Sequence, residues 1–370
     1  MMPTRNPNKK IRIKREPEEE QIHVDRLSSL PDHILHYILS FFDSTKLSAQ
    51  TSVLSTRWRY LWTHVHRLIL DTDESFNPTN FARIVNEVMY NRSEECNICS
   101  IDYIHMNYKP DKKLLNRVMR FAASRDCQQF CLCVPHDAGC LDSSMFVPLA
   151  NSNLRTLILR EASLGLELLG STGFAMLRDL DLDECWLSCQ NKYAVLDPFA
   201  NFPCLENLVL RGCILENSCR FKISGPRLVK LEISFLDCSK LEIDAPNLKF
   251  FGLWEELEYS KLYQFNLPSL ELADIWMQFR GLVERNKDGM KACATSLLGG
   301  LHNASFLFMN SAFFEMLVRN SEFLENQCCP FTRLTSLTVD GYVPDMLPYH
   351  VMSYFLSGSS NRGPTYLEFV

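Results

Sequence analysis

The spacing L-x-x-L-x-L recurs along most of this 370-residue chain, and it restricts the fold more than any other feature. It reads Leu154-Leu157-Leu159, Leu177-Leu180-Leu182, Leu205-Leu208-Leu210 and Leu228-Leu231-Ile233. It continues as Leu248-Phe251-Leu253, Leu270-Ala273-Ile275, Ala304-Leu307-Met309 and Leu334-Leu337-Val339. Weaker copies precede these at Ile98-Ile101-Tyr103 and Cys127-Phe130-Leu132. The first six strong copies start 23, 28, 23, 20 and 22 residues apart, and the later steps lengthen to 34 and 30, which implies insertions. The last three positions of each copy alternate with the period of a strand. A unit this short has an apolar face that it cannot cover alone, so successive units must stack with their strands parallel.

Two copies extend to L-x-x-L-x-L-x-x-C, placing Cys185 and Cys213 where the chain turns inward after the strand and a small thiol fits the bend. A second rhythm, Phe221-x-Ile223 before Gly225-Pro226 and Leu241-x-Ile243 before Ala245-Pro246, predicts a further short strand per unit on the returning side.

Residues 25–62 read differently. Pro31 is a helix-start signal, since a first-turn N–H has no intrahelical partner to lose. Behind it Ile34, Leu35, Ile38 and Leu39 form an apolar stripe. Asp43 or Ser44 can cap a second short helix, and Ser55 a third in which Trp58, Leu61, Trp62 and Val65 share a face. Three short helices cannot bury so many large side chains among themselves, so something else must cover them.

The ordered set LPDHIL and TSVLSTRWRYLW in this stretch resembles an F-box of the plant type. With the repeats behind it, the chain resembles the plant F-box/LRR (F-box/FBD/LRR-like) family. The resemblance implies an α/β protein: a small all-α F-box of three helices, then a leucine-rich-repeat solenoid with parallel strands on its concave face. It implies docking on the Skp-type linker of an SCF (Skp–cullin–F-box) ubiquitin ligase through Leu30, Pro31, Ile34, Leu35, Ile38, Leu39, Leu54, Trp58 and Leu61. Each of these nine could instead belong to the internal core of the helical cap. The expected organisation is a charged disordered tail at 1–24, the F-box at 25–72, a linking helical segment at 73–95, repeats at 96–345 and an irregular C-terminal segment at 346–370 without a complete FBD region.

Composition removes several classes of function. A formal net charge of −6 argues against a general nucleic-acid binder, which needs excess Lys and Arg to displace counterions. No apolar run is long enough to span a membrane, and the charged N-terminus does not look like an export signal, which places the chain in the nucleus, the cytoplasm or both. KKIRIKR at 9–15 can serve as a nuclear import signal or simply be a solvated tail. The 15 cysteines are odd in number and show no disulfide framework, so they read as reduced thiols. Cys96 and Cys99 form a CxxC, but Cys127, Cys131 and Cys133 lack the spacing to complete a zinc site. No metal or cofactor is expected.

No phosphate loop, dinucleotide fingerprint, HExxH or GxSxG occurs, and Cys133 with His136 lacks an orienting third group. The chain is therefore not read as an enzyme. Acidic doublets such as Glu94-Glu95 and Glu255-Glu256 read as solvated surface.

Strand alternation does identify the residues facing away from the core. They include Asp179, Asp181 and Asp183 in one unit, then Phe250 and Trp254, Trp276, and Phe306 and Phe308 in later ones. This aromatic patch flanked by aspartates is the candidate substrate-binding surface, with the alternative that a loop or the C-terminal segment folds over it. The expected role is a substrate-recognition adaptor of an SCF-type ligase, its substrate an unknown protein. The alternatives are a repeat scaffold acting outside such a ligase and a nuclear adaptor using the basic tail.

Overall fold

The computed structural model describes residues 27, 29–72, 77–105, 111–135, 139, 141, 143–165, 173–188, 195–215, 220–257, 261–279, 287–319, 324, 329–341, 351, 353–355 and 366–369. The charged tail at 1–24 and His136 lie outside these residues.

The chain opens with a helical cap of α1 (Asp32–Leu39), α2 (Thr45–Gln50) and α3 (Trp58–Leu61). Pro31 is the N-cap of α1, extended at φ −62°, ψ 151°, one position before the helix rather than in its first turn. The Ser44 side chain caps α2 by accepting from the Lys46 N–H, and Ser55 Oγ accepts from the Trp58 N–H at the start of α3. Leu35, Leu39, Trp58, Leu61 and Val65 pack together as a small core, with Leu30, Ile38, Phe42 and Trp62 around it.

Among the described residues twelve parallel strands follow in one sheet. In spatial order they are β1 (Arg67–Asp71), β2 (Ser100–Ile104), β3 (Gln129–Cys133), β4 (Thr156–Arg160), β6 (Asp179–Asp183), β9 (Asn207–Arg211), β12 (Lys230–Ser234), β14 (Phe250–Leu257), β16 (Leu272–Phe279), β17 (Phe306–Asn310), β18 (Ser336–Asp340) and β19 (Tyr366–Phe369). Alternation decides which residues enter the core: Leu208 and Leu210 of β9 are fully buried, while Asn207, Val209 and Arg211 face the other way.

The returning side carries two small parallel sheets. One holds β5 (Ser163–Gly165), β7 (Trp186–Ser188) and β10 (Ile214–Leu215), the other β8 (Val195–Leu196), β11 (Arg220–Ser224), β13 (Lys240–Asp244) and β15 (Leu262–Asn266). The Phe221-x-Ile223 and Leu241-x-Ile243 rhythm is β11 against β13, with Phe221 opposite Leu241 and Ile223 opposite Ile243. Near the cap, helices replace these strands: α4 (Pro78–Tyr90), α5 (Lys112–Ser124) and α6 (Ser143–Ala150). The two lengthened steps near the C-terminus hold α7 (Lys287–Gly300) and α8 (Ser311–Arg319).

One corner recurs where the chain leaves the main sheet. Glu161, Glu184, Gly212 and Phe235, each the residue after its strand, take φ values of 55°, 51°, 56° and 53°. Only one of the four is glycine. The thiols that follow two of these corners satisfy carbonyls of the preceding unit: Cys185 Sγ donates to Leu159 O at 3.3 Å and Cys213 Sγ to Leu182 O at 3.4 Å.

The cap and the sheet have no linker between them. β1 lies within the segment expected to be purely helical, and the sheet extends beyond the expected 96–345 at both ends, β19 pairing with β18 inside the segment expected to be irregular. The reason is the open edge of β1. An edge strand presents unpaired backbone groups, and here the cap covers it. Thr45 Oγ1 accepts from the Ile69 N–H at 2.8 Å, and Ser44 Oγ donates to Asp71 Oδ1 at 2.7 Å. From the other side, the buried Arg92 guanidinium donates to the carbonyls of Trp62 and Val65.

Candidate functional site

Two surfaces stand apart from the core, one on the cap and one on the sheet. On the cap, the nine residues singled out from the sequence divide by orientation. Pro31, Ile34 and Leu54 are exposed, Leu54 by 63 %. Leu30 and Ile38 are half-buried. Leu35, Leu39, Trp58 and Leu61 are buried in the cap's own core at 6 % exposure or less, so their side chains offer a partner no direct contact. Sequence reasoning also passed over exposed apolar residues beside them: Tyr37, Phe41, Leu47, Val53 and Tyr60, of which Val53 is 86 % exposed. Tyr37 and Phe41 pack edge to face on the outside of α1. The surface is held in shape by Arg57, whose guanidinium donates to Asp32 Oδ1 at 2.5 Å and to Leu30 O at 2.6 Å. That hydrogen bond lowers the Asp32 pKa, outweighing the opposing effect of desolvation. A band of exposed apolar side chains of this kind is a candidate interface.

On the sheet, the outward row of aspartates is already engaged. Thr156 and Asn207 donate to Asp179 at 3.0 and 2.5 Å, Arg211 donates to both oxygens of Asp181 at 3.1 Å, and Arg160 lies 3.8 Å from Asp183. Burial nonetheless raises the Asp181 pKa, against the lowering effect of Arg211. The chain of charges continues from Arg211 to Glu232 at 3.7 Å, which Lys230 also meets at 2.7 Å. These carboxylates work as cross-strand ties between repeats.

The aromatic half differs. Trp254 and Trp276 are register partners on β14 and β16, which sets their backbones about 5 Å apart. With Arg211, Glu232, Ser234 and Phe235 they line an open cleft of about 440 Å³. Trp276 is 37 % exposed and Trp254 half-buried. Phe306 and Phe308 are exposed by 46 and 37 %, while Phe250 is half-buried with the Lys230 ammonium 5.4 Å from its ring centre. Phe235 was missed because it follows the strand instead of lying in it. A bulky exposed side chain held at positive φ on a cleft wall is a strained position of the kind that collects at binding sites.

Cys127, Cys131 and Cys133 are buried, and desolvation pushes their thiols up to about 12, 11 and 11. Among the described residues no group of His, Cys, Asp and Glu is placed to hold a metal ion. Among those residues, too, no helix is long and apolar enough to cross a membrane.

The F-box domain family matches residues 27–70, the cap together with nearly all of β1. The N-terminal unit is an F-box, and the chain is homologous to plant F-box/LRR-repeat proteins. Three relatives from Arabidopsis thaliana illustrate the reach of the similarity. F-box/LRR-repeat protein 25 is 29 % identical over 235 residues, covering 62 % of this chain and 85 % of the relative. Putative F-box/FBD/LRR-repeat protein At4g03220 is 28 % identical over 375 residues, covering 91 % of this chain and 72 % of the relative. F-box/LRR-repeat protein At2g42720 is 29 % identical over 315 residues, covering 79 % and 68 %. The F-box therefore ends inside the repeat sheet and contributes its first strand, with the LRR units stacked behind it.

Proposed function

We propose that this chain is a substrate-recognition adaptor of an SCF-type E3 ubiquitin ligase. The F-box binds a Skp-type linker, and through it a cullin–RING assembly, while the open face of the repeat sheet holds a protein substrate. The observation that carries this reading is the exposed apolar band of Pro31, Ile34, Tyr37, Phe41, Val53 and Leu54 on a domain that already has a closed core of its own. Side chains of this size left outside a complete core gain by burial against a partner. The chain performs no bond chemistry itself; holding a substrate near the ligase's reactive centre raises the rate by proximity.

Co-purification of the full chain with a Skp-type linker and a cullin tests it, beside a Pro31→Ala/Ile34→Ala/Leu54→Ala variant. Capture that the triple change abolishes, with the melting temperature unchanged, supports the adaptor role. A folded chain that captures no linker sinks it and leaves the F-box as the end cap of a repeat scaffold.

A further inference from the structure

The open face changes character between β12 and β14. Up to β12 the carboxylates of Asp179, Asp181 and Glu232 are tied to cations or donors on neighbouring strands. From β14 to β18 its outward positions include Glu256, Asp274 and Asp340 but neither Lys nor Arg. Asp274 is the informative member. It is half-buried, and among the described residues no cation pairs with it. Burial, and then the charge of Glu232, push its carboxyl above its ordinary value.

The register shows what separates those two carboxylates. Glu232, Gly252 and Asp274 lie in one row across three strands. Gly252 brings no side chain, and the Trp254 indole occupies its place: a Cβ there would sit 2.5 Å from the outer ring atoms Cη2 and Cζ3. An aromatic ring thus lies between an engaged carboxylate and an unengaged one: Glu232 lines the cleft together with Arg211, and Asp274 lies across the ring from it, on the strand that carries Trp276. A ring face beside an uncompensated carboxylate attracts a cation by its quadrupole and by ion pairing together.

We propose that the Asp274 side of the Trp254–Trp276 pair receives a basic side chain, Arg or Lys, of a partner polypeptide, with Asp274 as its counter-charge. This rests on the reading of the open face as the substrate-recognition surface. It names the feature that a substrate presents there: a cationic residue whose aliphatic stem packs on the indoles and whose head reaches Asp274. Arg211 does not take this place, because Asp181 and Glu232 already hold it on the opposite side of the ring.

The test uses the full chain and four pools of short labelled peptides, randomised except for a central Arg, Lys, Glu or norleucine. Binding of the Arg and Lys pools about tenfold tighter than the norleucine pool is expected, a difference of about 1.4 kcal/mol. Asp274→Asn should bring the Arg pool down to the norleucine level with an unchanged or higher melting temperature. Gly252→Ala, which drives the indole from its seat, should weaken every pool. Equal binding of the norleucine and Arg pools, or preference for the Glu pool, overturns the cation while leaving the surface in place. If no pool binds, or if Trp276→Ala leaves binding intact, the surface fails and the cation with it. Should Asp274→Asn not fold, Asp274→Ser and the ranking of pools on the unmodified chain decide.

Discussion

Lys261 donates to Glu255 across 2.6 Å with both side chains only 4 % exposed, and the same ammonium donates to Leu236 O at 2.7 Å. This pair ties the end of β14 to the start of β15 and to the corner after β12, so three stretches of chain meet on one cation. Removing the cation strands a carboxylate in the interior. Lys261→Met should therefore destabilise the fold by about 3–5 kcal/mol, whereas Lys261→Met/Glu255→Leu should recover most of the loss. Urea midpoints of the two variants check this; equal midpoints would mean that the charge is not what the site depends on.

The F-box offers a sharper separation. Ile34 and Leu35 are neighbours in α1, yet one is exposed and the other wholly buried. Ile34→Ala and Leu54→Ala should leave stability within about 0.5 kcal/mol and lower Skp-type linker affinity by about 1–3 kcal/mol each. Leu35→Ala and Trp58→Ala should cost about 2–5 kcal/mol of stability and affect capture only through unfolding. Melting curves beside quantitative pull-downs distinguish the pairs. Loss of capture by a fully folded Trp58→Ala protein would contradict this division.

How far the sequence carried depends on which interactions are local. Leu208 and Leu210, the β11–β13 strand pair and the Trp254–Trp276 register all follow from period and spacing, because strand alternation and unit stacking leave few choices. The stripe Ile34, Leu35, Ile38, Leu39 gave no orientation, since adjacent apolar residues point to different sides of a helix and both sides are apolar here. Glu255 looked like solvated surface and is an ion-paired core residue, because its partner Lys261 lies six residues on, at the start of the next strand, where spacing alone does not place it. The cover that Thr45 gives β1 was equally hidden, as was the isolation of Asp274: both depend on which groups the fold brings near and which it keeps away.

Phe235 holds a left-handed backbone with φ 53° at the same corner where the preceding unit has Gly212 at 56°. A bulky residue in this region costs about 1–2 kcal/mol relative to the alternatives open to it, and half of its surface remains in water. That strain fits a side chain retained for the cleft it lines. Phe235→Gly should raise the urea midpoint or leave it level while weakening substrate or peptide binding at the Trp254–Trp276 cleft. A variant that loses stability as well would show that Phe235 serves packing.

Alkaline pH should expose the thiols of the core. Desolvation pushes Cys127, Cys213 and Cys293 up to about 12, far above the value of about 8.5 for a thiol in the unfolded chain. With the folded value raised, the stabilising contribution is complete below the unfolded value and is lost as pH climbs toward the folded one, because only the unfolded chain then releases these protons. Each thiol can remove at most about 1.4 kcal/mol for every pH unit across that window. Urea midpoints should hold level from pH 7 to about 8 and then fall steeply toward pH 10. Cys293→Ala, which deletes one of these titrations, should make the decline shallower. A midpoint that stays level through pH 10 would show that these thiols ionise as readily in the folded protein as outside it.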